Sequence, residues 1–290
     1  MLIYVNKITD DITLPVNNVE EEFGGTAGNF TRIAAIIGLP FRLYSIVSDN
    51  SHRNYISFLK KIGVDTQGIV ISDDDYGPVC YAVNDGNDQR YFMAEGPMKR
   101  LSYKILDESY QYMHLGTGNA ELNYQLMNDC KYENLVFDPS QEIFYKYTPE
   151  QMRDFMEKSH FIMGNEKEIR FMLDKTGKTI GELIGAGKMI VMTAGSEGSK
   201  IFADSSFHIP SLGLVTNGNT LGAGDTFRAG FYLGLYNHMN PVEAASCGNA
   251  VSYQVVKNGL RNFDLNSETI LQEGKKLSEK AIRINGNLYF

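Results

Sequence analysis

No run of this sequence approaches the roughly 20 consecutive apolar residues of a helical membrane span, which excludes a membrane-spanning helix. Cysteine is scarce. Cys80, Cys130 and Cys247 are widely separated and not arranged as metal ligands, so reduced, buried thiols in a cytoplasmic protein are expected. Basic residues are outnumbered, 27 Lys and Arg against 35 Asp and Glu, and the net charge of −8 would repel a nucleic-acid backbone. No Lys/Arg-rich stripe offsets that balance. The N-terminus has no basic segment and no cleavage-site pattern, so secretion is not expected. Pro/Ser-rich linkers, low-complexity tracts and internal repeats are also missing, so the chain reads as one continuous core.

What is present suits a single large α/β domain over residues 1–290. The chain is 43% hydrophobic with a mean hydropathy of −0.25, the balance of a soluble globular protein. Short apolar, β-rich runs alternate with helical patterns, which predicts a mostly parallel sheet with crossover helices. Strands are expected at 2–5, 42–47, 112–115, 135–138, 161–163 and 189–193. Helices are expected at 27–37, 55–61, 149–158, 166–173, 225–236 and 241–256. Between 78 and 93, two β-rich runs flank the turn-rich stretch from Asn84 to Gln89 and read as a hairpin.

The most informative stretch is Asn219-Thr220-Leu221-Gly222-Ala223-Gly224-Asp225-Thr226-Phe227. Small residues followed by an acid and an apolar run suit a tight loop feeding the first turn of a helix. Gly222 and Gly224 permit close backbone approach, so successive N–H groups can point at one anion, and the helix dipole adds partial positive charge there. Asp225 at that spot could accept a proton from a bound hydroxyl. A phosphate cradle and a general base thus share seven residues. Asp225 as a simple helix cap is the alternative.

Other segments add to this one. Gly24-Gly25-Thr26-Ala27-Gly28-Asn29 precedes a helix, and Asn29 offers donor and acceptor to a vicinal diol. Asp10 lies just beyond the first strand, where open α/β sheets bind ligands, although it could equally be part of a solvated turn with Asp11. Asn165-Glu166-Lys167-Glu168 has the spacing of a capping box. Thr193-Ala194-Gly195-Ser196-Glu197-Gly198 is a glycine-spaced loop after an apolar strand. Neither the phosphate loop G-x-x-x-x-G-K-[ST] nor a protein-kinase motif set occurs.

In this order, these segments resemble the signatures of the ribokinase (PfkB) family of sugar and nucleoside kinases. Residues 219–225 match D-T-x-G-A-G-D at six of seven positions, with Asn219 in place of the first Asp. The resemblance runs from about Ile3 to Gly259. It implies a ribokinase-like three-layer α/β/α fold with a mostly parallel central sheet and a small, reduced β lid, its elements near 11–23 and 78–97. It also implies a soluble phosphotransferase that uses ATP with Mg²⁺. Asp225 would be the base, and Gly222, Ala223 and Gly224 would form the anion hole. Asp10, Gly25 and Asn29 would contact the acceptor, and Thr193, Gly195, Gly198 and Asn249 would contact ATP. Asn165 and Glu168 would organise Mg²⁺ through water. Asn219 lacks the charge that helps to bind a monovalent cation in some members, so weak or absent potassium activation is expected.

The acceptor stays open. Residues 137–141 and 227–231 resemble adenosine or nucleoside kinases, whereas the short segment between Asp10 and Gly24, with Glu95-Gly96-Pro97-Met98, also resembles fructoselysine-type kinases. A sugar in the broad sense is the reading adopted, with a nucleoside, a vitamin, or a non-catalytic binding protein on the same scaffold as alternatives. No nucleic-acid or membrane partner is expected, and a homodimer is left open.

Overall fold

The computed structural model describes residues 1–9, 13–85, 89–216, 218 and 220–284, with backbone alone at Tyr4 and Gln89. Asp10 and Asn219 therefore lie outside the described residues, as does the middle of the 84–89 turn.

The chain divides into two compact units, Met1–Gly28 with Arg42–Lys104, and Asn29–Phe41 with Ile105–Phe290. Both segments expected to form a lid fall in the first unit, which takes in more of the chain than those segments alone. Strands β1 (Leu2–Val5) and β2 (Val16–Glu20) come first, followed by helix α1 (Thr26–Ile36), whose chain passes from the first unit into the second. Strand β3 (Ser45–Ser48), helix α2 (Asp49–Lys61) and strand β4 (Ile69–Ser72) follow, and β5 (Val79–Asn84) and β6 (Gln89–Ala94) form the predicted hairpin. The sheet order is β2-β1-β5-β6, with β1 parallel to β5, while β3 and β4 pair separately. The sequence reading placed residues 2–5 in the central sheet; the structure seats them in this smaller one. Strand periodicity reveals a strand but not which sheet receives it.

The second unit carries strand β7 (Ser109–Leu115), helix α3 (Ala120–Asp129), β8 (Lys131–Phe137), α4 (Pro149–Lys158), β9 (Phe161–Asn165), α5 (Glu166–Thr176), α6 (Ile180–Gly185) and β10 (Met189–Thr193). Then come β11 (Ser199–Phe202), β12 (Phe207–Ile209), α7 (Ala223–Tyr236), α8 (Pro241–Asn258), α9 (Ser267–Ser278) and β13 (Ile282–Arg283). The sheet runs β13-β12-β11-β10-β9-β8-β7. Strands β7 to β10 are parallel and carry the crossover helices; β11 to β13 add an antiparallel meander at one edge.

Burial follows the pleat. Val136, Met163, Val191 and Ile201 face one side, where they pack with Phe227, Phe231 and Leu235 of α7 and Ala244 of α8. Phe137, the next residue along β8, points to the opposite side and stacks on Phe155 of α4 at 4.9 Å. Both faces of the parallel strands are covered, which is why Ile190, Val191 and Met192 are all fully buried. Helix starts follow local chemistry. Thr148, Asn165 and Asn240 each form a reciprocal capping box, with Pro149 and Pro241 in the first turns of α4 and α8. Among the described residues, no helix is long and apolar enough to cross a membrane. Cys130 and Cys247 are buried and Cys80 is half-buried, all as free thiols.

Helix α7 is fixed by a close crossing with α8. A Cβ at Gly230 would lie 2.5 Å from the carbonyl oxygen of Cys247, and one at Gly234 would lie 2.6 Å from Cα of Ala244. The backbones meet where neither glycine has a side chain to separate them. Gly230→Val is expected to destabilise the fold by about 1–3 kcal/mol through overpacking, read as a lowered denaturation midpoint with an unchanged slope.

Candidate active site

The first turn of α7 is shaped by Gly222. Its φ of 77° lies in the left-handed region, and a Cβ there would sit 2.9 Å from Nδ2 of Asn29. No side chain caps the helix at Gly222. The N–H of Ala223 donates to Thr220 O at 3.1 Å, so one of the three amides expected to form the anion hole is already engaged in the turn. Helix geometry leaves the N–H groups of Gly224 and Asp225 without acceptors inside the helix, and these are the donors best placed for an anion.

Asp225 stands in that turn with its side chain 13% exposed. One carboxyl oxygen accepts from Nδ2 of Asn29 at 2.8 Å, and the other accepts from Nη1 of Arg228 at 3.3 Å. Asn29, expected to contact the acceptor, is here a partner of the acid. Each carboxylate oxygen offers two acceptor sites, so each retains one for a further donor. Burial pushes the Asp225 carboxyl up to about 6, against the opposing pull of Arg228 and Asn29.

Behind Asp225 lies a polar cluster that the sequence reading leaves without roles. Asp138, at the C-terminal end of β8, is fully buried. Its carboxylate takes a two-pronged grip from Arg228, through Nε to one oxygen and through Nη2 to the other at 2.6 Å. His114 of β7 places Nε2 3.7 Å from Asp138 and Nδ1 2.8 Å from the Tyr232 hydroxyl on α7. Burial lowers His114 to about 4, which leaves it neutral near pH 7. Burial also works against the charge on Arg228, but Asp138 more than offsets it and holds the guanidinium firmly cationic. Two signals in the sequence point to this cluster. Arg228 stands three residues after Asp225 and so shares its helix face, and Asp138 ends an apolar strand.

Asn165 and Glu168 form the expected box. Asn165 Oδ1 accepts from Glu168 N–H at 3.0 Å, and Glu168 Oε2 accepts from Asn165 N–H at 2.8 Å. Glu168 is only 4% exposed; burial raises its pKa, with the nearby negative charge of Asp138 acting in the same direction. Asn165 Oδ1 and Glu168 Oε2 each keep an acceptor site beyond the box, which is the chemistry that water carried by a hydrated divalent cation would meet. Among the described residues, no three His, Cys, Asp or Glu side chains form a direct metal cage. Mg²⁺ that keeps most of its waters fits that arrangement.

Thr193 ends β10, and residues 194–198 turn the chain into β11. Gly195 has φ 57° and Gly198 φ 98°. A Cβ at Gly198 would fall 2.2 Å from Ile209 O, so glycine alone fits. Asn249 is 5% exposed and donates Nδ2 to Ile209 O and Pro210 O, each at 3.2 Å. Gly198 lies close against the backbone at 209–210 and Asn249 holds it, so Asn249 has a structural task besides the nucleotide contact expected of it. Gly25, with φ 81°, belongs to the first unit.

A model of the pfkB family of carbohydrate kinases matches residues 1–266. A nucleoside kinase of Thermoplasma acidophilum is 35% identical over 274 residues, 94% of this chain and 91% of that protein. A nucleoside kinase of Methanocaldococcus jannaschii is 26% identical over 243 residues, 81% of this chain and 78% of the relative. A solved structure from Thermoplasma acidophilum, provisionally described as a ribokinase, aligns with a TM-score of 0.82 at 34% identity, covering 96% of this chain and 94% of the other.

The raised pKa of Asp225 makes its protonated form favoured by the fold. Its contribution to stability is therefore fully present below the ordinary carboxylate pKa near 4 and is lost as pH rises through about 6. Asp225→Asn is expected to be more stable than the parent at pH 8, by on the order of 1–3 kcal/mol, with the gain vanishing near pH 4. Chemical denaturation of both proteins at several pH values checks it.

Proposed function

Because the chain belongs to the pfkB family of carbohydrate kinases, we propose that it transfers the γ-phosphoryl group of ATP to a primary hydroxyl on the ribose of a nucleoside. The sequence reading favoured a sugar in the broad sense; the 35% identity to a nucleoside kinase over nearly the whole chain supports the narrower choice. The observation that carries the phosphotransfer reading is Asp225. A carboxyl with a pKa near 6 sits beside uncapped helix amides, so base and anion site adjoin.

Asp225 accepts the proton of the attacking hydroxyl, and a base with a pKa near working pH is both ionised and strong enough to do so. The amides of Gly224 and Asp225 face the charge that develops on the transferring group, a term worth roughly 3–4 kcal/mol per donor in other enzymes. Positioning and electrostatics suffice for phosphoryl transfer, which needs no covalent intermediate. Mg²⁺, held through water near Asn165 and Glu168, would neutralise phosphate charge. Thr193, Gly195, Gly198 and Asn249 are the proposed nucleotide contacts. Asp10, Gly25 and Asn29 are the proposed acceptor contacts. An intact Asp225 weighs against a non-catalytic binding protein.

ADP release from Mg-ATP, measured across nucleosides, pentoses, hexoses and ketose-amines, tests this reading. Turnover on nucleosides is expected, with Asp225→Asn lowering kcat roughly 10²–10⁴-fold. Turnover confined to free sugars would overturn the nucleoside assignment, and full activity in Asp225→Asn would overturn the base. The kcat/KM of the parent is expected to fall about tenfold per unit below pH 6, where Asp225 takes up its proton.

A further inference from the structure

Arg228 is 7% exposed and cannot reach far toward a ligand, yet it bonds both Asp138 and Asp225. Its two bonds to Asp138 fix the plane and rotamer of the guanidinium, since a forked pair defines orientation as well as distance. Nη1 is left over, and it lies 3.3 Å from Asp225 Oδ1. Gly224 clears the space this requires, because a Cβ there would stand 3.2 Å from the same Nη1. Asn29 holds the other carboxyl oxygen from α1. The acid is thus gripped from two directions, by one neutral donor and one cation.

Taking the proposed role of Asp225 as its premise, we propose that Arg228, anchored by Asp138, is a positioning residue that aims the Asp225 carboxylate and keeps it ionised at neutral pH. The charged and titratable groups near Asp225 come from every side. Arg228 and Tyr232 belong to its own helix, Asp138 follows β8, Glu168 lies on α5 and His114 on β7. The neighbouring Asp138 carboxylate opposes ionisation of Asp225, and His114 is neutral near pH 7. Arg228 supplies the opposing positive charge. Without it, a buried acid beside the Asp138 carboxylate would hold its proton into the neutral range. Asp138 is needed because a single contact of 3.3 Å would not hold a long, flexible side chain in place. The longer contact has a further use. It orients Oδ1 without saturating it, which leaves an acceptor site for the substrate hydroxyl.

The test compares Arg228→Lys, Arg228→Met, Asp138→Asn and the double variant Arg228→Met with Asp138→Leu. The double variant removes both buried charges together, so it is expected to fold even where one partner alone leaves an unpaired charge. Each protein is assayed with Mg-ATP and the acceptor found for the parent, from pH 5 to 9. In Arg228→Met the acid limb of kcat/KM is expected to rise by about 1–3 pH units, and in the double variant by less, because the opposing Asp138 charge is removed as well. The kcat at pH 7 is expected to fall at least tenfold while KM for ATP changes little. Arg228→Lys, which keeps the charge but not the fork, is expected to restore the limb and only part of kcat. Asp138→Asn, which loses the anchor but keeps the cation, is expected to give a kcat between parent and Arg228→Met without the rise of the acid limb.

A folded Arg228→Met or double variant with parental kcat and an unmoved limb would overturn the proposal, provided that Asp225→Asn is inactive. Full activity in Asp225→Asn would instead remove the base assignment on which the proposal stands. The two failures are therefore separable. A loss of kcat in Arg228→Met with no change in its pH limb would likewise overturn the ionisation role.

Discussion

The buried pairing of Arg228 with Asp138 is the interaction on which the candidate site depends, because it ties the start of α7 to the C-terminal end of the parallel sheet. Two charges removed from water gain little net stability, since the desolvation each suffers nearly cancels their attraction. Removing one partner alone strands the other, at a cost of about 3–5 kcal/mol. Such a pair is better understood as a geometric constraint than as a source of stability. It sets the position of an arginine whose remaining nitrogen meets Asp225, and through that contact it reaches the acid that the helix presents.

A second constraint acts on the same helix from its other face. Gly230 and Gly234 let α7 lie against α8 at backbone distance, and Phe227, Phe231 and Leu235 bury toward the sheet. Helix α7 is thus held along its length by packing and at its N-terminus by charge. The result is a rigid platform for a carboxyl with a pKa near 6, itself a consequence of burial partly relieved by Arg228 and Asn29. A site built on a fixed helix terminus needs little rearrangement as charge develops, which is how preorganised amides stabilise a transition state.

Much of this was legible in the residues. Helices α4 and α5 and the parallel strands β8 to β10 follow from apolar runs bounded by capping residues, whereas α3 and α6 were not read, and Thr148, Asn165 and Asn240 mark helix starts by chemistry that acts within four residues. The loop from Gly222 to Asp225 is legible for the same reason. Less legible was the sheet that takes residues 2–5, since partner choice between strands depends on distant segments. Asn29 was readable as a functional amide, but not as the partner of an acid 196 positions away.

The sequence by itself determined the family, the starts of α4, α5 and α8 and the identity of the acid at the start of α7, because each rests on short-range chemistry or on motif order. Only the tertiary structure decided that Asn249 holds the backbone at 209–210, and that Asp138 and Arg228 stand behind Asp225. Those facts arise from residues as far as 90 positions apart being buried together, and burial is what turns distant charges into strongly interacting ones.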